Sequence, residues 1–215
     1  MSRRPRASLR AHSIAATFVV AAVVASAHAH ATAADLATAE ALFGDARRLM
    51  AADRYPEACP KLEESERLDP SIGTELNLAS CYQHVGHTAS AWAMFLKVAG
   101  EARAAGQSAR ERVARERASA LEPTLSRLVL VVKKDTAPPG LVVKRDGDFV
   151  GSAQWGTALP VDPGVHAISA DAPGKKHWGA NVSVPPAGQT VSVPVPSLDD
   201  EGARPPAQEP PPIHA

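Results

Sequence analysis

Cys59 and Cys81 are the only two cysteines in 215 residues, and each lies 11 residues from Pro70. If Pro70 marks the turn between two antiparallel helices, equal distances along them give equal heights, at about 1.5 Å of rise per residue. Neighbouring helices pack with axes about 8–10 Å apart, so two inward-facing cysteines come within reach of a disulfide. The expected chemistry is oxidation to a structural bridge; the alternative is a pair of small buried thiols. Other chemistry is sparse. His84 and His87 flank Gly86 and need not share a helical face, so no metal site is expected there. His166 and His177 read as polar-side residues of strands with no nameable acid–base partner. "DGDFVG" from Asp146 lacks the ligand number and closing glutamate of a calcium loop and reads as a turn. No phosphate loop, nucleophile elbow or paired-cysteine metal motif occurs. The arginines of "ARERVARERASA" (Arg110, Arg112, Arg115 and Arg117) alternate with Glu111 and Glu116, the pattern of a solvated helix or of a docking face for an acidic partner. The reading is non-enzymatic, with no cofactor and no metal.

The elements that place these residues fall into distinct stretches. Formal charge is zero, from 23 basic and 23 acidic residues. Setting aside Arg3, Arg4, Arg6 and Arg10 at the start leaves 19 against 23, a net of −4. A mildly acidic body lacks the basic footprint of nucleic-acid binding. The start itself reads as a secretory signal peptide over residues 1–33: a basic stretch, an apolar run from Ile14 to Ala27, then small residues at alternate positions. That run is shorter than the roughly 20 apolar residues of a membrane-spanning helix, although an uncleaved anchor is the other reading. The expected compartment is therefore the periplasm or cell envelope, with no transmembrane helix in the mature chain.

Residues 35–122 are rich in Ala, Glu, Arg and Leu with helical spacing. Breaks at Pro70, Gly86 and Gly106 predict about five helices, and Ser108 with Glu111 reads as a capping box. A shift of 33 residues superposes Leu49 on Tyr82, Ala58 on Ala91 and Leu62 on Phe95, a period typical of stacked helical hairpins. "DRYPEACPKLEESERLDP" resembles the second helix of a tetratricopeptide repeat, with Tyr55, Ala58 and Pro70 at the aromatic, small and closing positions. "CYQHVGHTASAWAMF" supplies Tyr82, Gly86, Ala91 and Phe95 for the next repeat, without a closing proline.

From Leu128 the period is two. "HWGANVSV" puts Trp178, Ala180, Val182 and Val184 on one face, and "TVSVPV" aligns Val191, Val193 and Val195. Pro-Gly and Asp-Gly pairs mark the turns, and Pro194 predicts an edge strand. Residues 127–198, through "VVKRDG" and "LPVDPGVHAISADAPGKKHW", resemble the PEGA domain, a small antiparallel β-sandwich of bacterial envelope proteins. Lys175 stands where that family has an aromatic residue. Residues 199–215 read as a disordered, Pro-rich tail.

The expected fold is thus α + β in separate domains, a helical-hairpin array followed by a small antiparallel β-sandwich. The tetratricopeptide resemblance implies a concave face built by the first helix of each hairpin, here Thr38 to Ala52 and Ile72 to Val85. It places Phe43, Arg47, Met50, Leu76, Ser80, Gln83 and His84 toward a protein or peptide partner. The resemblances imply an exported adaptor at the cell envelope. The alternative is a structural module whose β domain contacts cell wall or surface polymer.

Overall fold

The computed structural model describes residues 32–202. Residues 1–31 of the expected leader and 203–215 of the expected tail lie outside them. Among the described residues five α-helices come first: α1 (Ala33–Ala51), α2 (Tyr55–Leu68), α3 (Ile72–Val85), α4 (Thr88–Ala104) and α5 (Ser108–Leu121). α1 begins five residues before the expected Thr38. Thr32 and Asp35 form a reciprocal capping box there, with Asp35 N donating to Thr32 Oγ1 at 3.1 Å and Thr32 N donating to Asp35 Oδ2 at 2.9 Å. α3 has the expected bounds. Ser71 Oγ caps its start from Thr74 N, and Gly86 ends it at φ +85°, a left-handed conformation that glycine adopts without a Cβ penalty.

The capping box expected at Ser108 is absent. Gly106 closes α4 in the left-handed region and Gln107 takes the cap position, so Ser108 is already helical and its side chain caps nothing. The 33-residue repeat is visible in the packing. Ala46 and Ala79, Ala58 and Ala91, and Leu62 and Phe95 are all buried at equivalent places on successive hairpins. Leu49 and Tyr82 are both half-buried against the core shared by α1, α2 and α3.

Seven strands follow: β1 (Arg127–Val132), β2 (Val142–Arg145), β3 (Asp148–Phe149), β4 (Leu159–Pro160), β5 (Gly164–Asp171), β6 (Trp178–Val184) and β7 (Thr190–Val195). They form one sheet of order β4-β1-β7 and one of order β3-β2-β5-β6. A single aliphatic core joins the sheets, with Leu128 and Leu130 from β1 and Val193 and Val195 from β7 meeting Val143, Ile168, Ala170 and Val184. The alternation expected in β6 and β7 is present, and β7 is an edge strand, where Pro194 removes no shared ladder bond.

The antiparallel expectation fails in one place: β1 and β7 run parallel over their whole length, Arg127 opposite Thr190 to Val132 opposite Val195. Parallel neighbours need a crossover rather than a hairpin. Here the crossover contains the entire opposite sheet, because β7 arrives from β6 through the turn at residues 185–189. Between β2 and β3, Asp146 and Gly147 both take positive φ, +53° and +89°, as a two-residue hairpin of the primed type requires.

Candidate functional site

Ordinary helical geometry places Leu76, Ser80, Gln83 and His84 on one side of α3, since residues three and four apart are neighbours on a helix. α1 and α5 flank this side. Arg117 of α5 donates to Gln83 Oε1 at 3.2 Å, and a Cβ on Gly73 would lie 3.9 Å from the Arg110 guanidinium. A hollow of about 230 Å³ joins the three helices, lined by Glu40 and Phe43 of α1, Ser71, Gly73 and Thr74 at the start of α3, and Arg110 of α5. The expected partner residues differ in character, and Phe43 alone of them lines this hollow. Phe43 and Met50 are half-buried against the core shared by α1, α2 and α3, and Leu76 against the one shared by α3, α4 and α5. Arg47 is exposed, its guanidinium 5.8 Å from the Phe43 ring centre. His84 stacks flat on Tyr55 at 3.9 Å, which places it at the α2 border of the face. Ser80 is half-buried.

Beneath this face lies the disulfide. Cys59 of α2 and Cys81 of α3 are bonded, with α-carbons 5.6 Å apart and 22 residues between them. The equal-height argument about Pro70 is borne out. Both sulfurs are buried, and the bond ties the first hairpin to the second. α3 also carries a buried charge. Glu75 is 2% exposed and pairs with Lys97 of α4, which also reaches Glu101 at 3.0 Å. Burial is the main cause that pushes the nearby Glu66 carboxyl up from its ordinary value. Tyr82 hydrogen-bonds Glu63 at 3.1 Å, and burial, with the Glu63 charge, pushes its phenol up to about 12.

A second concave region lies between α4 and the β region, a cleft of about 390 Å³ lined by Ser90, Trp92, Arg145, Asp146, Pro160 and His166 among others. Here the reading of His166 is corrected. It has the parity of Ile168 and Ala170, the inner face of β5, and both its ring nitrogens are partnered. Nδ1 lies 2.6 Å from Asp146 Oδ2 and Nε2 lies 2.8 Å from the Asp162 carbonyl. His177 also has an acid partner, Asp171 at 2.7 Å. The inner-face parity was available in the sequence and is the signal that finds His166.

Asp162 does more than make a turn. Its carboxylate accepts from Ala89 N at 2.7 Å, Ser90 N at 2.9 Å and Ser90 Oγ at 2.5 Å, capping α4 from a β-region loop. The Ser90 hydroxyl donates to the Asp162 carboxylate, and His166 Nε2 lies against the carbonyl of the same residue. This cluster therefore works as a fastener between the helical and β regions, which belong to one compact unit. Asp146 is partly buried, which opposes its charge. The hydrogen bonds from His166 and from Ala167 N outweigh that cost and hold its carboxyl below the ordinary range.

Among the described residues no helix is long and apolar enough to cross a membrane, and no group of three or more acidic, histidine or cysteine side chains is arranged to hold a metal ion. No family model matches the chain, and no curated protein matches it.

Proposed function

We propose that the chain is an exported adaptor. Its helical region is a short tetratricopeptide-like array that holds a protein or peptide partner at the cell envelope, and its β region is a PEGA-like module. The observation that carries this reading is the face shared by α1, α3 and α5. It combines half-buried apolar side chains, Phe43 and Leu76, with polar and charged ones that the core does not need, Arg47 and Gln83. The buried disulfide supports export, because such bonds persist in oxidising compartments. It also fixes α2 against α3 and so pre-shapes the face, which lowers the ordering cost of binding. With only two and a half hairpins the face is shallow, and modest affinity is expected.

The test is capture of envelope proteins by the purified chain, compared with a variant carrying Arg47→Ala and Gln83→Ala. Loss of capture at an unchanged melting temperature supports the groove. Undiminished capture by the variant moves the site elsewhere. Binding to purified cell wall in place of envelope protein would turn the reading to a structural module acting through its β region.

A further inference from the structure

A sheet edge exposes a row of unpaired backbone groups, and folded proteins blunt such edges with short strands, charges or proline. Three of the four edges here are blunted. β3 has two residues, one of them Asp148; β4 has two and ends in Pro160; β7 contains Pro194. The fourth, β6, has seven residues, Trp178–Val184, with no charge, no proline and no bulge against β5. The chain covers only the stretch before it: Lys176 N donates to the Asp199 carbonyl at 2.9 Å, and Lys175 bridges to Asp200. Beyond Lys176 the described residues provide no partner for the outer edge of β6.

The direction of its backbone groups follows from the register. The Ala167 carbonyl accepts from Asp146 N and Ala167 N donates to Asp146 Oδ1, so Ala167 turns its backbone toward β2. Alternate residues of β5, including His166, Ile168 and Ala170, then turn theirs toward β6, where their partners are Val182, Ala180 and Trp178. Gly179, Asn181 and Ser183 are left with N–H and C=O pointing outward.

We propose that β6 pairs with β6 of a second copy of this chain, antiparallel, about a two-fold axis at Asn181. In that register Asn181 faces Asn181 of the copy and Gly179 faces Ser183, so all six outward N–H groups of the pair find carbonyls. Trp178 falls beside Val184 and Ala180 beside Val182, which carries the apolar inner face across the junction. These side chains are only half-buried in the single chain, apart from Val184, whereas Ile168 and Ala170 on the neighbouring strand are fully buried. The charges agree with the pairing. Within the paired stretch, Trp178–Val184, neither strand carries a charge, so no like charges meet. The product is one eight-stranded sheet running through two chains, an isologous contact.

Sedimentation equilibrium of the purified chain over a wide concentration range tests this. Twice the chain mass is expected at the upper end. Asn181→Lys sets like charges directly opposite each other and should weaken the dimer roughly fivefold or more. Asn181→Pro removes an N–H that β5 does not use, so the edge tolerates it, and the dimer should be lost. Melting temperatures check that each variant folds, and if Asn181→Pro does not, Asn181→Lys decides. A wild-type chain that stays monomeric throughout overturns the proposal. So does a dimer whose strength Asn181→Lys leaves unchanged.

Discussion

The helical region buries mainly alanine, including Ala46, Ala58, Ala79, Ala91, Ala102 and Ala114, with Leu62, Phe95 and Val98 as its larger fully buried side chains. The β region buries Leu128, Leu130, Val143, Val150, Ile168, Val184, Val193 and Val195. Alanine lets helices approach closely, but each methyl removes little apolar surface from water, and the hydrophobic contribution scales with that area. The disulfide sits where the core is thin, between α2 and α3, and the β region has none. The comparison teaches that covalent and charged fasteners are concentrated in the half with less apolar area to bury.

Removing the fasteners should therefore hurt the helical half most. The bridge closes a loop of 22 residues, for which the loop-entropy relation gives about 3 kcal/mol. Cys59→Ala with Cys81→Ala should lower the melting temperature of the helical circular-dichroism signal by roughly 6–12 °C. A negligible loss would break the contrast, since it would mean that the helical half does not lean on its bridge.

Lys97→Met comes next. It strips the described partner from the buried Glu75 carboxylate, whose other oxygen already has none among the described residues. An unpaired buried charge is costly, but Lys97 is half-exposed and water offsets part of the loss, so about 2 kcal/mol is expected. Adding Glu75→Gln should recover most of it, because the neutral amide needs no counter-charge. Urea unfolding of the three forms measures both steps, and no recovery in the double variant would show that Lys97 acts through its packing.

Asp162→Ala tests whether the two regions act as one. Loss of an N-cap costs about 1 kcal/mol. The sharper readout is cooperativity: in a Trp92→Phe background, which removes the tryptophan packed on the helical core, the helical signal and the fluorescence of Trp155 and Trp178, both packed on the β core, should melt together in the parent and separate in the variant. Asp162→Asn retains an acceptor for the α4 amides and should keep the transitions coincident.

What the sequence reveals and what it conceals divide along range. The disulfide was legible because one proline fixed the turn and arithmetic along two helices did the rest. The buried faces of the hairpins and of β6 were legible because period alone specifies them. The Asp162 cap lies 72 and 73 residues from its partners, and no local pattern distinguishes a turn aspartate from one that reaches another element. The parallel β1–β7 pairing is equally non-local. Ser108 misled for the opposite reason: the capping pattern was present, but Gly106 and Gln107 had already set where the helix begins.

The smallest effect concerns acid, and it applies the same distinction of range to charge. In the helical region, Glu57 and Glu64 lie below their ordinary range because Arg54 and Arg67 donate to them from three residues away. Pairs so close in sequence stay near each other in the unfolded chain, so little of their effect distinguishes folded from unfolded. Asp146 is different: its His166 partner is 20 residues away, and the contact exists only after folding. Its folded value is lowered, so its contribution is present above the ordinary aspartate value of about 3.9 and is lost as pH falls through the folded value. The side chain is 43% exposed, and solvent screening keeps the effect small. Between pH 6 and pH 3, wild type should therefore lose melting temperature slightly more steeply than Asp146→Asn, which keeps one acceptor oxygen, for Ala167 N or for His166, starts from a lower stability and does not titrate. For Glu57→Gln, whose partner is local, the curve should run parallel to wild type. A steeper wild-type slope relative to Glu57→Gln than to Asp146→Asn would reverse the argument, placing the acid-sensitive contacts in the helices.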